Sequence, residues 1–144
     1  MEDGNVFTRV KVRLDSIDPA ALLAEVARPT AGAIVLFLGT ARDHSGDRTG
    51  ITDLEYEAYP EMVEVKLAEV VTDALSRWDL QVVLVEHRVG MVAVGDPSVA
   101  VAVAAAHREE AFAAGQFLID QLKSRVPIWK KEHWAGGGNW VKGA

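Results

Sequence analysis

The sequence predicts an α+β fold, because segments with strand and helix patterns are mixed along the chain without strict alternation. The predicted order begins β-α-β-β-α-β-β-α-β, whereas a doubly wound parallel sheet would place a helix after each strand. Hydrophobic residues make up 49% of the 144 residues, which is sufficient for a buried core. We expect one domain over residues 1–144, with a mixed or antiparallel sheet and about three helices.

The first two predicted elements are a half-buried strand and a short helix. In residues 7–14 the apolar side chains at 10, 12 and 14 alternate with basic ones, which predicts a strand with one buried face. Asp18 and Pro19 are typical of an N-cap and a first helical position. We therefore expect a helix from there to about Arg28.

The next predicted elements are two strands and a long helix. Residues 33–40 (AIVLFLGT) are continuously apolar, which predicts a central strand buried on both faces. The polar residues 42–50 are expected to form a mobile loop. Another strand is expected over 51–58, and a helix over 60–78, where apolar residues recur at helical spacing.

The last part of the chain is predicted to contain a strand pair, a helix and a second strand pair. Strands are expected over 81–89 and 98–105, joined through a turn at Gly95-Asp96-Pro97. A helix over 107–125 follows, and Pro127 separates it from the last two strands, over 128–134 and 139–141.

The composition excludes several classes of protein. The chain has 15 Lys and Arg against 21 Asp and Glu, a net charge of -6, which argues against nucleic-acid binding. It has no cysteine, so disulfides, thiolate metal sites and cysteine nucleophiles are excluded. No apolar run is long enough to span a membrane, and the acidic N-terminus does not resemble a signal peptide, so we expect a cytoplasmic protein.

Several familiar kinds of site are also not expected. No nucleotide-binding glycine motif occurs. The histidines at 44, 87, 107 and 133 do not have the spacing of a metal site, so neither a metal nor a cofactor is expected. His87 falls within a predicted strand, where a role in the core is expected. The three glutamates Glu55, Glu57 and Glu64 are expected on solvent faces rather than in an acid/base pair.

Basic residues are concentrated near the end of the last predicted helix. Lys123, Arg125, Lys130 and Lys131 fall within residues 123–131, which contain no acidic residue. A single lysine of this kind is usually a solvated side chain. A cluster of positive charge in an acidic protein instead favours a bound anion.

Arg42 and the pair His107-Arg108 extend this basic set. Arg42 follows a predicted strand, and it is either a flexible loop residue or an anion contact. His107 and Arg108 open a helix, where positive charge opposes the helix dipole but where backbone N–H groups attract anions. Arginines suit the holding of an anion, and a lysine whose pKa falls on burial suits chemistry on it.

Five segments of the sequence resemble one known family. They are FLGTARDHS (37–45), LEYEAYPEM (54–62), EHRVG (86–90), VGDPSVAVAVAAAHREEAF (94–112) and LKSRVPIWKKE (122–132). In this order they are similar to the large, catalytic subunit of molybdopterin synthase, over nearly the whole chain. The resemblance implies an α/β-hammerhead fold and a homodimer that binds two small ubiquitin-like sulfur carriers, giving a heterotetramer. It also implies sulfur transfer from the carrier's C-terminal Gly-Gly thiocarboxylate to cyclic pyranopterin monophosphate, which forms the dithiolene of molybdopterin.

The resemblance also implies which residues form the site. Lys123 would act as an acid/base and charge stabiliser, and Lys130 as a second proton donor or phosphate ligand. The expected substrate-binding residues are Thr40, Ala41, Arg42, His107, Arg108, Lys123, Lys130, Lys131 and Glu132. Carrier-tail contacts are expected from Phe37, Ile128 and Trp129. Some relatives add a basic residue from near the C-terminus, for which Lys142 is the candidate here.

Two further expectations concern the use of this site. The alternative to an enzyme is a non-catalytic module that binds an anion or a carrier tail, and product formation would discriminate between the two. Within one helix, His107 and Lys123 are separated by 16 positions, or roughly 24 Å at ~1.5 Å per residue. We therefore expect each pocket to be shared across the homodimer, with His107 and Arg108 coming from the second subunit.

Overall fold

The computed structural model describes residues 5–142, and of Lys142 it describes the backbone only. The suggested pocket contact of the Lys142 side chain therefore lies outside the described residues. The elements are β1 (Phe7–Arg13), α1 (Pro19–Val26), β2 (Ala33–Thr40), β3 (Ile51–Glu57), α2 (Pro60–Arg77), β4 (Leu80–Arg88), β5 (Gly90–Ala93), β6 (Pro97–Ala105), α3 (Arg108–Arg125), β7 (Trp129–Trp134) and β8 (Gly137–Lys142).

The strands form two four-stranded sheets. The first has the order β1-β4-β6-β2, in which β1 and β4 are parallel and the other pairs are antiparallel. The second has the order β5-β3-β7-β8 and is antiparallel throughout. Together with three helices in the described part of the chain, these sheets confirm the predicted α+β class with mixed and antiparallel pairing.

The core lies on both faces of the first sheet. On one face, valines of β4 and β6 pack with α2, α3 and the inward side chains of the second sheet. On the other face, α1 covers alanines of β6 together with Val82 and Leu84 of β4. The side chain of Asp18 accepts a hydrogen bond from the backbone N–H of Ala21 at 3.2 Å, so the predicted N-cap of α1 is confirmed. None of the described helices is long and apolar enough to span a membrane.

The structure corrects the prediction that β2 is a central strand. β2 lies at the edge of the first sheet, beside β6 alone, and most of its side chains are only half-buried. Ile34 is 41% exposed. The continuously apolar sequence was a misleading signal, because an edge strand that is covered by another chain has the same composition as a buried one.

Three smaller expectations also differ from the structure. The short strand β5 was not predicted, because its four residues, of which the first is the positive-φ Gly90, carry little periodicity. Leu14 belongs to the predicted buried face of the first strand, and Met62 is one of the apolar residues at helical spacing in the predicted helix over 60–78. However, Leu14 lies beyond the end of β1 and Met62 is on the solvent side of α2. In α2 the neighbouring Val63 takes the inward position instead.

Candidate functional site

A basic pocket with a volume of about 200 Å³ lies where β2, β3, β6, β7 and the end of α3 meet. We call it the basic pocket. Its lining residues are Gly39, Thr40, Arg42, His44, Ser45, Ile51, Leu54, Tyr56, Ser98, Val99, Lys123, Lys130 and Glu132. The structure thus brings together five of the predicted site residues, namely Thr40, Arg42, Lys123, Lys130 and Glu132.

Three cations from separate elements face this pocket. Arg42 follows the end of β2, Lys123 is in the last turn of α3, and Lys130 is on β7. Burial lowers the pKa of Lys123, and the positive charges of Lys130 and Arg42 lower it further. A lysine in this environment releases its proton more readily than a solvated one, as acid/base chemistry near neutral pH requires.

Strand alternation separates the two neighbouring lysines of β7. Lys130 and Glu132 point into the basic pocket, whereas Lys131 points to the opposite face of the sheet. There the Lys131 ammonium lies 5.6 Å from the ring centre of Trp140. Lys131 is therefore not a lining residue of this pocket, contrary to the prediction. Ala41 is not one either, because it is 3% exposed and its backbone is bonded to the Gly95-Asp96 turn.

The floor of the pocket is polar and mostly buried. Glu132 is 5% exposed and Tyr56 is 4% exposed. Burial raises the pKa of Tyr56, and the Ser98 hydroxyl opposes this effect as a hydrogen-bond partner. Gly39 forms part of the wall, where a Cβ atom would lie only 2.5 Å from Cγ1 of Val99. The close approach of β2 to β6 at this point therefore requires glycine.

Four polar lining residues were not identified from the sequence: His44, Ser45, Tyr56 and Ser98. The segment between Arg42 and Ile51 folds back over the pocket, and the backbones of Ser45 and Arg48 exchange two hydrogen bonds of 2.9 Å. The guanidinium of Arg48 stacks over Trp134 at 3.8 Å. For Tyr56 a signal existed, since it alternates with Leu54 on the inward face of β3.

His107 and Arg108 lie at the other end of α3. His107 is the N-cap residue, and its side chain is 79% exposed. With Gly32, Ala106 and Glu109 these two residues line a separate open depression of about 510 Å³. Since α3 is continuous from Arg108 to Arg125, the structure confirms that one chain cannot bring both ends of the helix to one small ligand.

The predicted carrier-tail residues are not grouped at one surface. Trp129 is 48% exposed on the outer face of β7, whereas Ile128 is 1% exposed and Phe37 packs against the core. Ile128 touches a second cavity of about 490 Å³, which also includes Lys66, Pro127 and the last turn of α3. Lys123 lines both this cavity and the basic pocket, so it can be approached from two sides.

The chemistry that this arrangement supports is the binding of an anion beside a lysine with a lowered pKa. Cationic and hydroxyl donors surround the volume, and a carboxylate is held among them. No group of three side chains able to hold a metal ion occurs among the described residues.

Comparisons with known proteins give one consistent result. Residues 12–125 match the sequence profile of a family described as MoaE protein. A molybdopterin synthase catalytic subunit from Ralstonia nicotianae is 46% identical over 134 residues, which cover 92% of this chain and 76% of that relative. One from Thermoplasma volcanium is 42% identical over 136 residues, covering 94% and 98%. The crystal structure of molybdopterin synthase from Staphylococcus aureus superposes with a TM-score of 0.80 at 32% identity, covering 91% of this chain and 95% of that chain.

Proposed function

This chain belongs to the MoaE protein family, and we propose that the basic pocket is where it transfers sulfur. Its relatives are catalytic subunits of molybdopterin synthase, so the chain is an enzyme of molybdenum cofactor biosynthesis. The donor is the C-terminal thiocarboxylate of a small ubiquitin-like carrier, and the acceptor is cyclic pyranopterin monophosphate. For each sulfur, a C–S bond forms on the pterin side chain as a C–O bond at the same carbon breaks, and water cleaves the carrier's C–S bond, so that the carrier leaves with an ordinary carboxylate.

The observation that supports this proposal best is the convergence of Arg42, Lys123 and Lys130 on one small volume. A substrate phosphate and a carrier C-terminus are both anions, which explains such a cluster in a chain of net charge -6. Since the chain has no cysteine, it cannot hold the sulfur itself, and the sulfur must arrive on another molecule. Arg42 would hold the phosphate, and Lys123 would exchange protons with the reacting groups.

Reconstitution tests this function directly. The purified protein, its thiocarboxylated carrier and cyclic pyranopterin monophosphate should yield molybdopterin, measured as its fluorescent oxidation product. Lys123→Ala should fold normally and lose turnover. Lys131→Ala is the matched control, because it removes a neighbouring lysine from the face that points away from the pocket, and it should remain active. Binding of carrier and pterin without turnover by the parent protein would favour a non-catalytic module instead.

We propose further that the pocket is completed by a second copy of the chain. One observation is the exposure of His107 and Arg108, which lie far from Lys123 in the same subunit. Another is β2, an apolar strand whose outer edge has no neighbour among the described strands. Such an edge is a template for pairing with another strand.

The position of β2 favours a two-fold arrangement. Its first residue, Ala33, pairs with Ala105 near the start of α3, and its last residue, Thr40, is a wall of the basic pocket. Its eight residues span roughly 24 Å, about the distance between the two sites along α3. Antiparallel pairing of two β2 edges would therefore place His107 of the partner subunit beside Arg42 and create two equivalent composite sites.

The carrier would then reach Lys123 from the second cavity, opposite the pterin. We propose that its extended tail lies along Pro127 and Ile128, with Trp129 at the outer rim, and that two carriers and two large subunits form a heterotetramer. We also propose a cytoplasmic location, as expected for an enzyme of cofactor biosynthesis, which cell fractionation would test.

A further inference from the structure

His87 is a polar side chain on the apolar face of β4. Val83 and Val85 precede it at the two-residue spacing of side chains that share one face of a strand. All three are buried, and His87 is 0% exposed. An aliphatic side chain would fill this position at lower cost, because a buried imidazole needs a hydrogen-bond partner for each ring nitrogen.

One ring nitrogen of His87 has a partner and the other does not. Nδ1 lies 2.7 Å from the backbone carbonyl oxygen of Arg88. A carbonyl can only accept, so Nδ1 carries the proton and Nε2 of the neutral ring is an acceptor. Burial, helped by the charge of Lys123, lowers the pKa of His87 to about 4, so the ring is neutral at pH 7. Nε2 is buried and has no hydrogen-bond partner within the described part of the chain.

The neighbours of His87 are walls of the basic pocket. Its ring contacts Tyr56 edge to face, with 5.1 Å between the ring centroids and 70° between the planes. In the sheet, His87 is opposite Val99 of β6. Tyr56 and Val99 both line the pocket together with Lys123. The unused acceptor therefore belongs to a residue that is adjacent to two walls of the basic pocket.

We propose that His87 is a positioning residue for Lys123, and that in the loaded pocket its Nε2 accepts a hydrogen bond from the Lys123 ammonium. This inference rests on the proposed function. An ammonium has three N–H donors to place, and a bound anion does not occupy all of them. A neutral imidazole orients the ammonium without stabilising its charge as strongly as a carboxylate would. The proton therefore stays available for transfer.

Two amide variants distinguish the roles of the two ring nitrogens of His87. The side-chain amide of asparagine lies near the position of Nδ1, and that of glutamine lies near Nε2. His87→Asn keeps the bond to Arg88 and loses the acceptor, so kcat should fall at least about tenfold while the carrier KM stays within about twofold. His87→Gln restores an acceptor, so kcat should stay within about threefold of the parent enzyme, even if its Tm is lower.

The pH profile gives a readout that a purely structural role would not change. Loss of a hydrogen bond to the ammonium lowers the pKa of Lys123 in the loaded site. The limb of the kcat profile that is due to Lys123 should therefore move to lower pH in His87→Asn and not in His87→Gln. The other ionisable groups of the pocket are unchanged in both variants: Arg42 after β2, His44 in the following loop, Tyr56 on β3, and Lys130 and Glu132 on β7.

Val85→Ala is the matched control, because it opens a cavity in the same row of β4 without touching a polar group. It should lower Tm and leave the pH profile unchanged. Parental kcat and pH profile in His87→Asn would overturn the proposal, and so would equal losses in the Asn and Gln variants. If His87→Asn does not fold, His87→Leu against His87→Gln decides by the same measurements. Failure of the parent enzyme to form molybdopterin would instead reject the proposed function.

Discussion

The shared pocket makes a quantitative prediction about mixed dimers. His107 and Lys123 are separated by 16 positions along α3, or roughly 24 Å. Side chains that each reach ~6 Å would still leave a gap of about 12 Å if they pointed at each other. A pocket of 200 Å³ is only about 7 Å across if it is treated as a sphere. One subunit therefore cannot bring both side chains to the same ligand.

The perturbation is a heterodimer in which each subunit carries one inactivating change. His107→Ala and Lys123→Ala subunits, coexpressed with different tags, can be purified as mixed dimers. One of the two composite sites then contains both changes and the other contains neither. The mixed dimer should recover about half of the activity of the unsubstituted dimer, although the two singly substituted homodimers are inactive. The measurement is molybdopterin formed per dimer with saturating carrier.

A second mixed dimer is the matched control, and it tests which residues of a site come from the same subunit. In the proposed arrangement one subunit supplies both Lys123 and Lys130 to a site. A mixed dimer of Lys123→Ala and Lys130→Ala subunits therefore lacks one lysine in each site, and no recovery is expected. Recovery would occur only if the two lysines of one site came from different subunits. An inactive His107→Ala/Lys123→Ala heterodimer of verified composition would refute the shared pocket.

The remaining predictions concern the lysines and the carrier. Lys123→Arg should be nearly as damaging to kcat as Lys123→Ala, because arginine keeps the charge but does not release a proton, and substantial activity would reduce Lys123 to a charge holder. Lys130→Arg should be milder in the same assay, since charge alone would account for most of its role. Trp129→Ala should raise the carrier KM more than the pterin KM, because Trp129 is half exposed at the rim of the proposed tail path. A melting curve distinguishes this result from a role in folding, for which Tm would fall and both KM values would change together.

Most of the secondary structure could be predicted from the sequence, because it depends on local patterns of residues. The N-cap at Asp18 and the proline at position 19 fixed the start of α1, and alternation or helical spacing located the longer elements. The place of β2 in the sheet could not be predicted in this way. A run of apolar residues says that a strand is covered, but not whether its own chain or another one covers it.

The site could also be predicted in part, because several of its basic residues lie in one local segment of the sequence. Basic residues in an acid-free window indicated an anion site, and the structure brings Lys123 and Lys130 together with Arg42. Strand alternation, applied to β7, would have excluded Lys131. Alternation with Leu54 would have placed Tyr56 on the inward face of β3, but its place in the pocket depends on the pairing of β3 with β7.

The electrostatics of the basic pocket and its expected chemistry are linked. Burial lowers the pKa of Lys123, and the positive charges of Lys130 and Arg42 lower it further. An anionic substrate brought into the same volume acts in the opposite direction and favours the ammonium. Binding and proton uptake at Lys123 are therefore coupled, and each strengthens the other by the same free energy. The proposed acceptor at His87 is neutral, so it raises the pKa of Lys123 less than a second carboxylate beside Glu132 would. The substrate anion therefore makes the main contribution to this coupling. A bound anion thus favours the protonated form of Lys123, and loss of the negative charge favours release of the proton.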